Sequence, residues 1–229
     1  MSYRTETPMK LQSLRTSVVE QLYASLRAAI IDNVLNPGMR ISEAEVALQY
    51  GTSRQPVREA FITLANEGLL EIRPQRGTYV AKISLPAVMD ARFVREAVEA
   101  DIVKLLAYAP DAVLITDLRG QVDRQQHLIG GSARDFMEAD EIFHRTLAEG
   151  AGKSKAWHIV VEMKAQMDRV RFLSSMHFPV DRLITQHRDV VEAIAAADPI
   201  HAERAMRGHL QGILTDLPVI KQEKPEYFL

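Results

Sequence analysis

The sequence predicts a mainly α-helical protein with two domains, in which three helices and a β-hairpin are followed by a bundle of about six helices. Apolar residues recur at helical spacing along most of the chain, which is the first observation behind this prediction. The second is a single change to alternating spacing between residues 70 and 83. We therefore place an N-terminal domain at residues 1–83 and an all-α domain at residues 84–229.

The composition excludes several classes of protein. Of 229 residues, 47% are apolar and 25% are charged, which is typical of a soluble chain that buries a core. The absence of cysteine excludes disulfides, thiol nucleophiles and cysteine-ligated metals. No apolar run reaches the roughly 18 residues of a membrane-spanning helix, and the polar N-terminus has no signal-peptide core. We expect a cytoplasmic protein without a membrane segment.

The N-terminal domain contains three predicted helices. An amphipathic pattern runs from Thr16 to Leu35 and ends at an Asn-Pro-Gly breaker. Ser42 is a typical N-cap for a short helix that ends near Gly51. After a tight turn, Ser53 begins a third helix that runs to about Glu67.

A β-hairpin follows the third helix. Residues 70–73 alternate between apolar and polar, and residues 78–83 alternate again. The intervening Pro74–Gly77 segment forms a basic tip that contains glycine. The order of helix, short helix, turn, helix and basic hairpin predicts a winged helix-turn-helix.

The start of the third helix is suited to duplex DNA. Arg54 and Arg58 are four residues apart and share one face, at the end that recognition helices present to the major groove. Arginine can bind guanine with two hydrogen bonds, and Gln55 can bind adenine or phosphate. An isolated Arg-x₃-Arg pair is more often an ordinary solvated pair, but here the turn and the basic hairpin favour DNA. The predicted DNA-binding residues are Ser53, Arg54, Gln55, Arg58, Arg76 and Gly77.

Five short motifs occur in order along this domain. They are Pro37-Gly38, Ile41-Ser42-Glu43, Gly51-Thr52-Ser53-Arg54-Gln55-Pro56-Val57-Arg58-Glu59-Ala60, Glu67-Gly68-Leu69 and Arg76-Gly77-Thr78-Tyr79-Val80. This series resembles the GntR family of bacterial transcription regulators. The resemblance implies a homodimer on a double-stranded DNA operator, expected to act as a repressor, with an activator left open. Many relatives have an arginine that contacts the DNA backbone where this chain has Ala44.

The second domain contains six predicted helices separated by glycine and proline breakers. Their approximate ranges are 86–108, 111–129, 133–150, 153–177, 180–197 and 199–217.

Four residues of this domain form a candidate metal site. Asp140 and His144 are four apart and project from one helix face, while His187 and His209 lie on later helices. One carboxylate and three imidazoles suit a divalent ion such as Zn²⁺, Ni²⁺ or Mn²⁺. Any one of these histidines, taken alone, is more often a surface or hydrogen-bonded residue. We interpret the remaining histidines in that way: His127, His158, His177 and His201.

The same spacing resembles the FCD ligand-binding domain of FadR-type GntR regulators, over about residues 85–217. Six helices suggest the shorter, VanR-like branch. The resemblance implies that Asp140, His144, His187 and His209 bind a metal ion and that a small organic acid completes its coordination. Relatives often have an asparagine soon after the metal-binding helix, where this chain has Gly152-Lys153-Ser154.

An anionic effector also needs a cationic partner. Arg95, followed four residues later by Glu99, resembles a recurrent pair in such domains, and a guanidinium can bind a carboxylate with two hydrogen bonds. An ordinary surface ion pair is the alternative, and Arg169 and Arg171 are weaker candidates.

These observations predict a metabolite-responsive DNA-binding regulator and not an enzyme. One alternative is a metal-dependent enzyme that activates water at the same four residues, although the only nearby base is Glu141, on a different helix face. Another alternative is a regulator whose metal ion is purely structural.

Overall fold

The computed structural model describes residues 17–229, and the mainly α-helical fold with an N-terminal helix-turn-helix is confirmed. Contacts divide the chain into two compact units. One ends at Ile83 and also includes Glu226–Leu229, and the other is Ser84–Pro225. The polar N-terminus and the predicted helix start at Thr16 lie outside the described residues.

The first unit has three helices that form because each has a clear start and stop. Their bounds are α1 (Val18–Ile31), α2 (Glu43–Tyr50) and α3 (Arg54–Asn66). A reciprocal capping box between Ser17 and Glu20 opens α1. The side chain of Ser42 accepts a hydrogen bond from the Ala44 N–H and caps α2, which ends at Gly51 with a φ of 64°. The tight turn before α3 therefore uses the left-handed conformation that glycine tolerates best.

A three-stranded antiparallel sheet completes the winged helix-turn-helix. The strands are β1 (Arg40–Ile41), β2 (Leu70–Arg73) and β3 (Gly77–Val80), in the order β1-β3-β2. The hairpin lies where the alternation predicted it, with Leu70 paired to Val80 and both side chains buried, but its second strand ends at Val80 and not at residue 83. The sequence did not indicate β1, because two residues are too few to show a period.

Residues 226–229 return to the first unit. The Ile83 N–H donates to the Tyr227 carbonyl at 2.8 Å, and the Leu229 N–H donates to the Ile83 carbonyl at 3.1 Å. The Tyr227 hydroxyl donates to Asn36 Oδ1, and the Phe228 side chain is buried. Four residues in a bridge leave no recognisable pattern, so the predicted boundary after residue 83 placed this segment in the helical domain.

The second unit is an all-α bundle. Its helices are α4 (Leu85–Tyr108), α5 (Ala112–His127), α6 (Ala133–Gly150), α7 (Ser154–Met163), α8 (Ala165–His177), α9 (Asp181–Ala195), α10 (Pro199–Gln211) and α11 (Ile213–Glu223). Two of the six predicted helices are interrupted, one at Lys164 and the other at Gly212. At Gly212 the chain tightens, because the Gly212 N–H donates to the His209 carbonyl only three residues back.

Charged residues surround the interruption at Lys164. The Lys164 side chain is buried, and its Nζ lies 2.6 Å from Asp168 Oδ2 and 2.8 Å from Glu141 Oε2. These partners come from α6 and α8, so the interruption coincides with a buried charge cluster and not with a glycine or proline. Sequence pattern alone gives no sign of it.

The bundle core is apolar and continuous, and α4, α5, α6, α9 and α10 all contribute to it. It includes Leu118 of α5, Phe143 of α6, Val190 of α9 and Met206 of α10, each no more than 2% exposed. This packing fixes α6, α9 and α10, which carry the four candidate metal ligands. Among the described residues, no helix combines the length and apolar character that crossing a bilayer requires.

Candidate functional site

The N-terminal end of α3 is an exposed face of the first unit. Ser53 precedes the helix in extended conformation, and its side chain makes no capping hydrogen bond. Arg54 and Gln55 are exposed, and Gln55 Nε2 donates to Glu59 Oε1 at 2.9 Å. Arg54 has no ion pair within residues 17–229. Its charge is therefore available to an anionic partner.

Arg58 differs from Arg54 because it already has a carboxylate partner. Its Nε and Nη2 donate to the two oxygens of Glu43 on α2, at 3.0 and 2.9 Å. These hydrogen bonds raise the pKa of Arg58 further, so the group stays charged. The pair is exposed, and DNA would have to compete with Glu43 for this guanidinium. This contact was not predictable from the sequence pattern, since the two residues are fifteen apart.

The hairpin tip places Arg76 and Gly77 at an exposed turn. The Arg76 N–H donates to the Arg73 carbonyl at 3.0 Å, and the turn requires a φ of 61° at Gln75 and 105° at Gly77. The Tyr79 hydroxyl donates to the Arg76 carbonyl at 3.1 Å and braces the turn. Both predicted tip residues therefore lie on a defined, accessible loop.

Four buried side chains converge in the second unit. Asp140 and His144 come from α6, His187 from α9 and His209 from α10, and each is at most 5% exposed. One potential ligand atom from each lies within 4.8 Å of all the others. His209 Nε2 is 3.2 Å from His144 Nε2 and 3.3 Å from His187 Nε2. The structure thus brings together all four residues selected from the sequence.

Each histidine of the cluster has an oxygen acceptor beside its other ring nitrogen. His144 Nδ1 is 2.5 Å from Glu99 Oε2, His187 Nδ1 is 2.8 Å from Gln125 Oε1, and His209 Nδ1 is 3.3 Å from Gln186 Oε1. The Gln125 amide is itself oriented, because its Nε2 donates to a backbone carbonyl of α6. An acceptor at Nδ1 favours a proton there, which leaves the Nε2 lone pairs facing one another.

Asp140 gives the cluster a negative charge. Arg171 donates to its Oδ2, whereas its Oδ1 is buried without a hydrogen-bond partner among the described residues and lies 3.6 Å from His187 Nε2. Burial opposes ionisation of this carboxyl, but the positive charge of Arg171 holds its pKa well below the usual range. A buried carboxylate oxygen without a hydrogen-bond donor is suited to bind a cation.

Burial raises the pKa of a carboxyl but lowers the pKa of an imidazole, because in both cases it disfavours the charged form. It lowers the pKa of His187 to about 3, and it holds the pKa of His209 well below its ordinary value. Both rings are therefore neutral at neutral pH, which is the form that binds metal ions.

A cavity of about 460 Å³, counted out to its mouth, adjoins the cluster. Its wall includes His209, Arg95, Arg171, Ser174 and Asp216, together with apolar side chains. The cavity wall therefore combines a candidate metal-binding histidine, two guanidinium groups and apolar surface, which is the mixed lining of a small-molecule site.

Arg95 lines this cavity, but its pair with Glu99 is buried and not on the surface. The Arg95 side chain is 2% exposed, and its Nε donates to Glu99 Oε1 at 2.5 Å. Because the other Glu99 oxygen contacts His144, Arg95 is linked to the cluster through one carboxylate. Arg171, which the sequence ranked below Arg95, contacts Asp140 directly. Arg169 is fully buried and does not line the cavity.

Sequence reasoning missed Gln125 and Gln186 and did not recognise Glu99 as a histidine partner. Gln125 had a detectable signal, because it continues the apolar face of α5 after Leu118 and Val122. A polar residue at such a position is buried only when it is hydrogen-bonded. For Gln186, adjacent to His187, the pattern held no comparable signal.

The remaining candidates lie elsewhere. His127, His158, His177 and His201 are exposed or partly exposed and outside the cluster. Glu141, the only base considered for an enzymatic mechanism, has its carboxylate 2.8 Å from Lys164 Nζ.

A winged helix-turn-helix unit joined to an all-α unit defines a class of two-domain DNA-binding regulators, and comparisons identify the family. The model "Bacterial regulatory proteins, gntR family" matches residues 18–80, and the model "FCD domain" matches residues 90–212. The chain therefore belongs to the GntR family and carries an FCD domain, as its motifs predicted. It is a DNA-binding transcription regulator and not an enzyme.

Named relatives support the same conclusion. The chain is 39% identical over 213 residues to the HTH-type transcriptional repressor RspR of Escherichia coli (strain K12), covering 92% of this chain and 93% of RspR. It is 33% identical over 206 residues to the probable D-xylose utilization operon transcriptional repressor of Paenarthrobacter nicotinovorans, covering 87% and 88%. The solved structure of E. coli McbR/YncC covers 91% of this chain and 99% of its own, with a TM-score of 0.74 and 16% identity, which shows a shared fold.

Proposed function

We propose that this regulator is a homodimeric repressor whose FCD domain binds a divalent metal ion and a small organic acid. Asp140, His144, His187 and His209 would hold the ion, and the acid would occupy the adjoining cavity. Ser53, Arg54, Gln55, Arg58, Arg76 and Gly77 would contact the operator.

The observation that carries this proposal is the convergence of three imidazole Nε2 atoms and one carboxylate in a buried site. Two nitrogens bound to one ion at about 2.0–2.1 Å lie roughly 3 Å apart, and the two closest histidine pairs here are separated by 3.2 and 3.3 Å. His187 and His209 have hydrogen-bond partners at Nδ1, and a carboxylate lies against Nδ1 of His144; such partners are typical of metal-binding histidines, because they fix ring orientation. The donor set therefore fits a divalent ion.

The cavity supports an anionic effector. A bound divalent ion would supply a fixed positive charge to which a carboxylate oxygen can bond. Arg171 lies at the same wall and contacts Asp140, and Arg95 approaches from α4. These two guanidinium groups would orient the carboxylate, while the apolar wall excludes water from around it.

Control of DNA binding requires that the acid prefers one arrangement of the regulator. Two copies related by a two-fold axis would place two α3 helices on a pseudo-palindromic operator. A ligand can shift this arrangement only by as much as its affinity differs between the two states. The acid releases the repressor from the operator when it favours the arrangement that does not bind DNA.

Metal content provides the first test of this proposal. The protein purified without chelator should contain about one equivalent of a first-row divalent ion per chain by elemental analysis. His187→Ala should lose most of it and should unfold at a lower temperature, because a bound ion stabilises the fold. The matched control is His158→Ala, which removes an exposed histidine of α7 and should retain the parent's metal content.

Release from DNA provides the second test. The parent should bind a duplex from its own upstream region, and a panel of small organic acids should include one that releases it. Release that persists unchanged after metal removal would contradict an acid bound at the ion. Metal bound at full stoichiometry without a response to any acid would instead favour a purely structural ion.

A further inference from the structure

The first unit contains a basic side chain that the recognition helix does not supply. Arg40 of β1 lies opposite Tyr79 of β3, and the next residue, Ile41, is buried. Since side chains alternate across a strand, Arg40 lies on the exposed face of the sheet, on the same side as Tyr79 and Gly77. The Arg40 side chain is itself exposed.

The Arg40 guanidinium lies against the hairpin tip. A Cβ atom at Gly77 would lie 2.9 Å from Arg40 Nε and 3.3 Å from Arg40 Nη2. Gly77 also has a φ of 105°, which side-chain-bearing residues rarely adopt. The turn therefore favours glycine at this position, and the missing side chain also leaves room for the guanidinium over the strand. Arg40 therefore joins Arg76 at the exposed tip.

Of the arginines Arg40, Arg73 and Arg76 of this sheet and its tip, only Arg73 pairs with a carboxylate in the part of the chain that the structure describes. Arg73 donates to Glu71 at 2.7 Å and lies over the Tyr79 ring, 4.5 Å from its centroid. By contrast, neither Arg40 nor Arg76 has an ion pair in the part of the chain that the structure describes. Two positive charges at the tip therefore remain available to an external anion.

Helix α2 is poorly suited to bind a phosphate by charge. It contains no lysine or arginine, and its first turn carries Glu43 and Glu45. A backbone contact by this part of the domain must therefore come from another residue.

We infer that Arg40 binds a DNA phosphate beside the hairpin tip, and that the glycine at position 77 makes room for its guanidinium. This contact is independent of base sequence and supplies the positive charge that α2 lacks. Arg40 is accordingly an affinity residue of the regulator, whereas the N-terminal end of α3 reads the bases.

The test is the salt dependence of binding to a fluorescein-labelled duplex of mixed sequence. Each phosphate neutralised by a protein cation contributes about 0.9 to the slope of log affinity against log salt concentration. Arg40→Gln should lower that slope by about 0.9 for each winged unit bound to the duplex, which is about 1.8 for a dimer that engages both units. The affinity lost between 50 and 200 mM salt should then be about threefold smaller per bound unit than in the parent. Arg40→Lys should retain the parent slope, because it keeps the charge.

Arg73→Gln is the matched control, since it removes a cation from the same sheet that Glu71 already neutralises. It should leave the slope close to that of the parent. An unchanged slope in Arg40→Gln would overturn the inference. An equal decrease in Arg73→Gln would also overturn it, because the effect would then reflect overall charge and not a local contact.

Discussion

The predicted DNA-binding surface and the buried Asp/His cluster show two ways in which one chain can assemble a candidate binding site. The predicted DNA contacts at the start of α3 lie within six consecutive residues and stay exposed, so their chemistry is visible in a short motif. The four cluster residues span seventy positions and are almost completely buried. The first site depends on local helix geometry, while the second exists only after three helices have packed together.

The largest expected change is a loss of folding stability when the ion pair between Arg171 and Asp140 is broken. Arg171→Met removes the cation that contacts Asp140, and breaking a buried ion pair costs about 3–5 kcal/mol. In chelated protein we expect a decrease of this size in the free energy of unfolding, measured by denaturant titration. Added Zn²⁺ should restore part of the loss, and no destabilisation would show that Asp140 is not ionised.

The next effect concerns the returning segment of the first unit. Phe228→Ala should lower the free energy of unfolding by about 3 kcal/mol, because a buried aromatic side chain is removed. Leu229→Ala, at an 81% exposed position, is the control and should have little effect. Equal stability of the two variants would mean that the segment contributes nothing to the winged unit.

Replacing Gln125, which contacts a histidine of the cluster, should cause an intermediate loss of metal affinity. Gln125→Leu removes the acceptor at His187 Nδ1, and loss of such a partner weakens metal binding about 10–100-fold. Competition with a chromogenic chelator measures this change directly. Gln126→Leu, at the adjacent exposed position, should bind metal as the parent does.

The smallest expected difference is in operator affinity, between variants of the two arginines of α3. Arg54→Ala should weaken specific operator binding by about 1–3 kcal/mol if it contacts a base. Arg58→Ala should cost less, because DNA binding by Arg58 requires breaking its pair with Glu43. Measurements in Glu43→Gln and in the double variant would isolate this competition, and equal losses from both arginines would show that Glu43 does not compete.

Much of the fold was predictable because its signals are local. Breakers follow α1, α2 and α3, Ser42 caps α2, and the hairpin has an alternating pattern. Asp140 and His144 could be paired because a spacing of four residues places both on one helix face. The partition of α7 from α8 was not predictable, because the Lys164 contacts come from α6 and α8 and leave no breaker in the sequence.

The candidate sites divide in the same way. The candidate metal ligands and the predicted DNA-binding motif could be recognised in the sequence, whereas their hydrogen-bond and ion-pair partners could not. Glu43 lies fifteen residues from Arg58, and Gln125 lies sixty-two residues from His187. Contacts over such separations depend on how helices pack, and a periodic pattern records only which face is buried.

The sequence by itself determined the family, the winged helix-turn-helix, the helical nature of the second unit and the identity of four metal-ligand candidates, because these follow from short motifs and helical spacing. Only the tertiary structure decided that Arg58 pairs with Glu43, that Arg40 crosses Gly77, and that Glu99, Gln125 and Gln186 face the three histidines. The physical reason is that side-chain partners are chosen by distance in space, and distance in space is set by the packing of apolar helix faces that many sequences share.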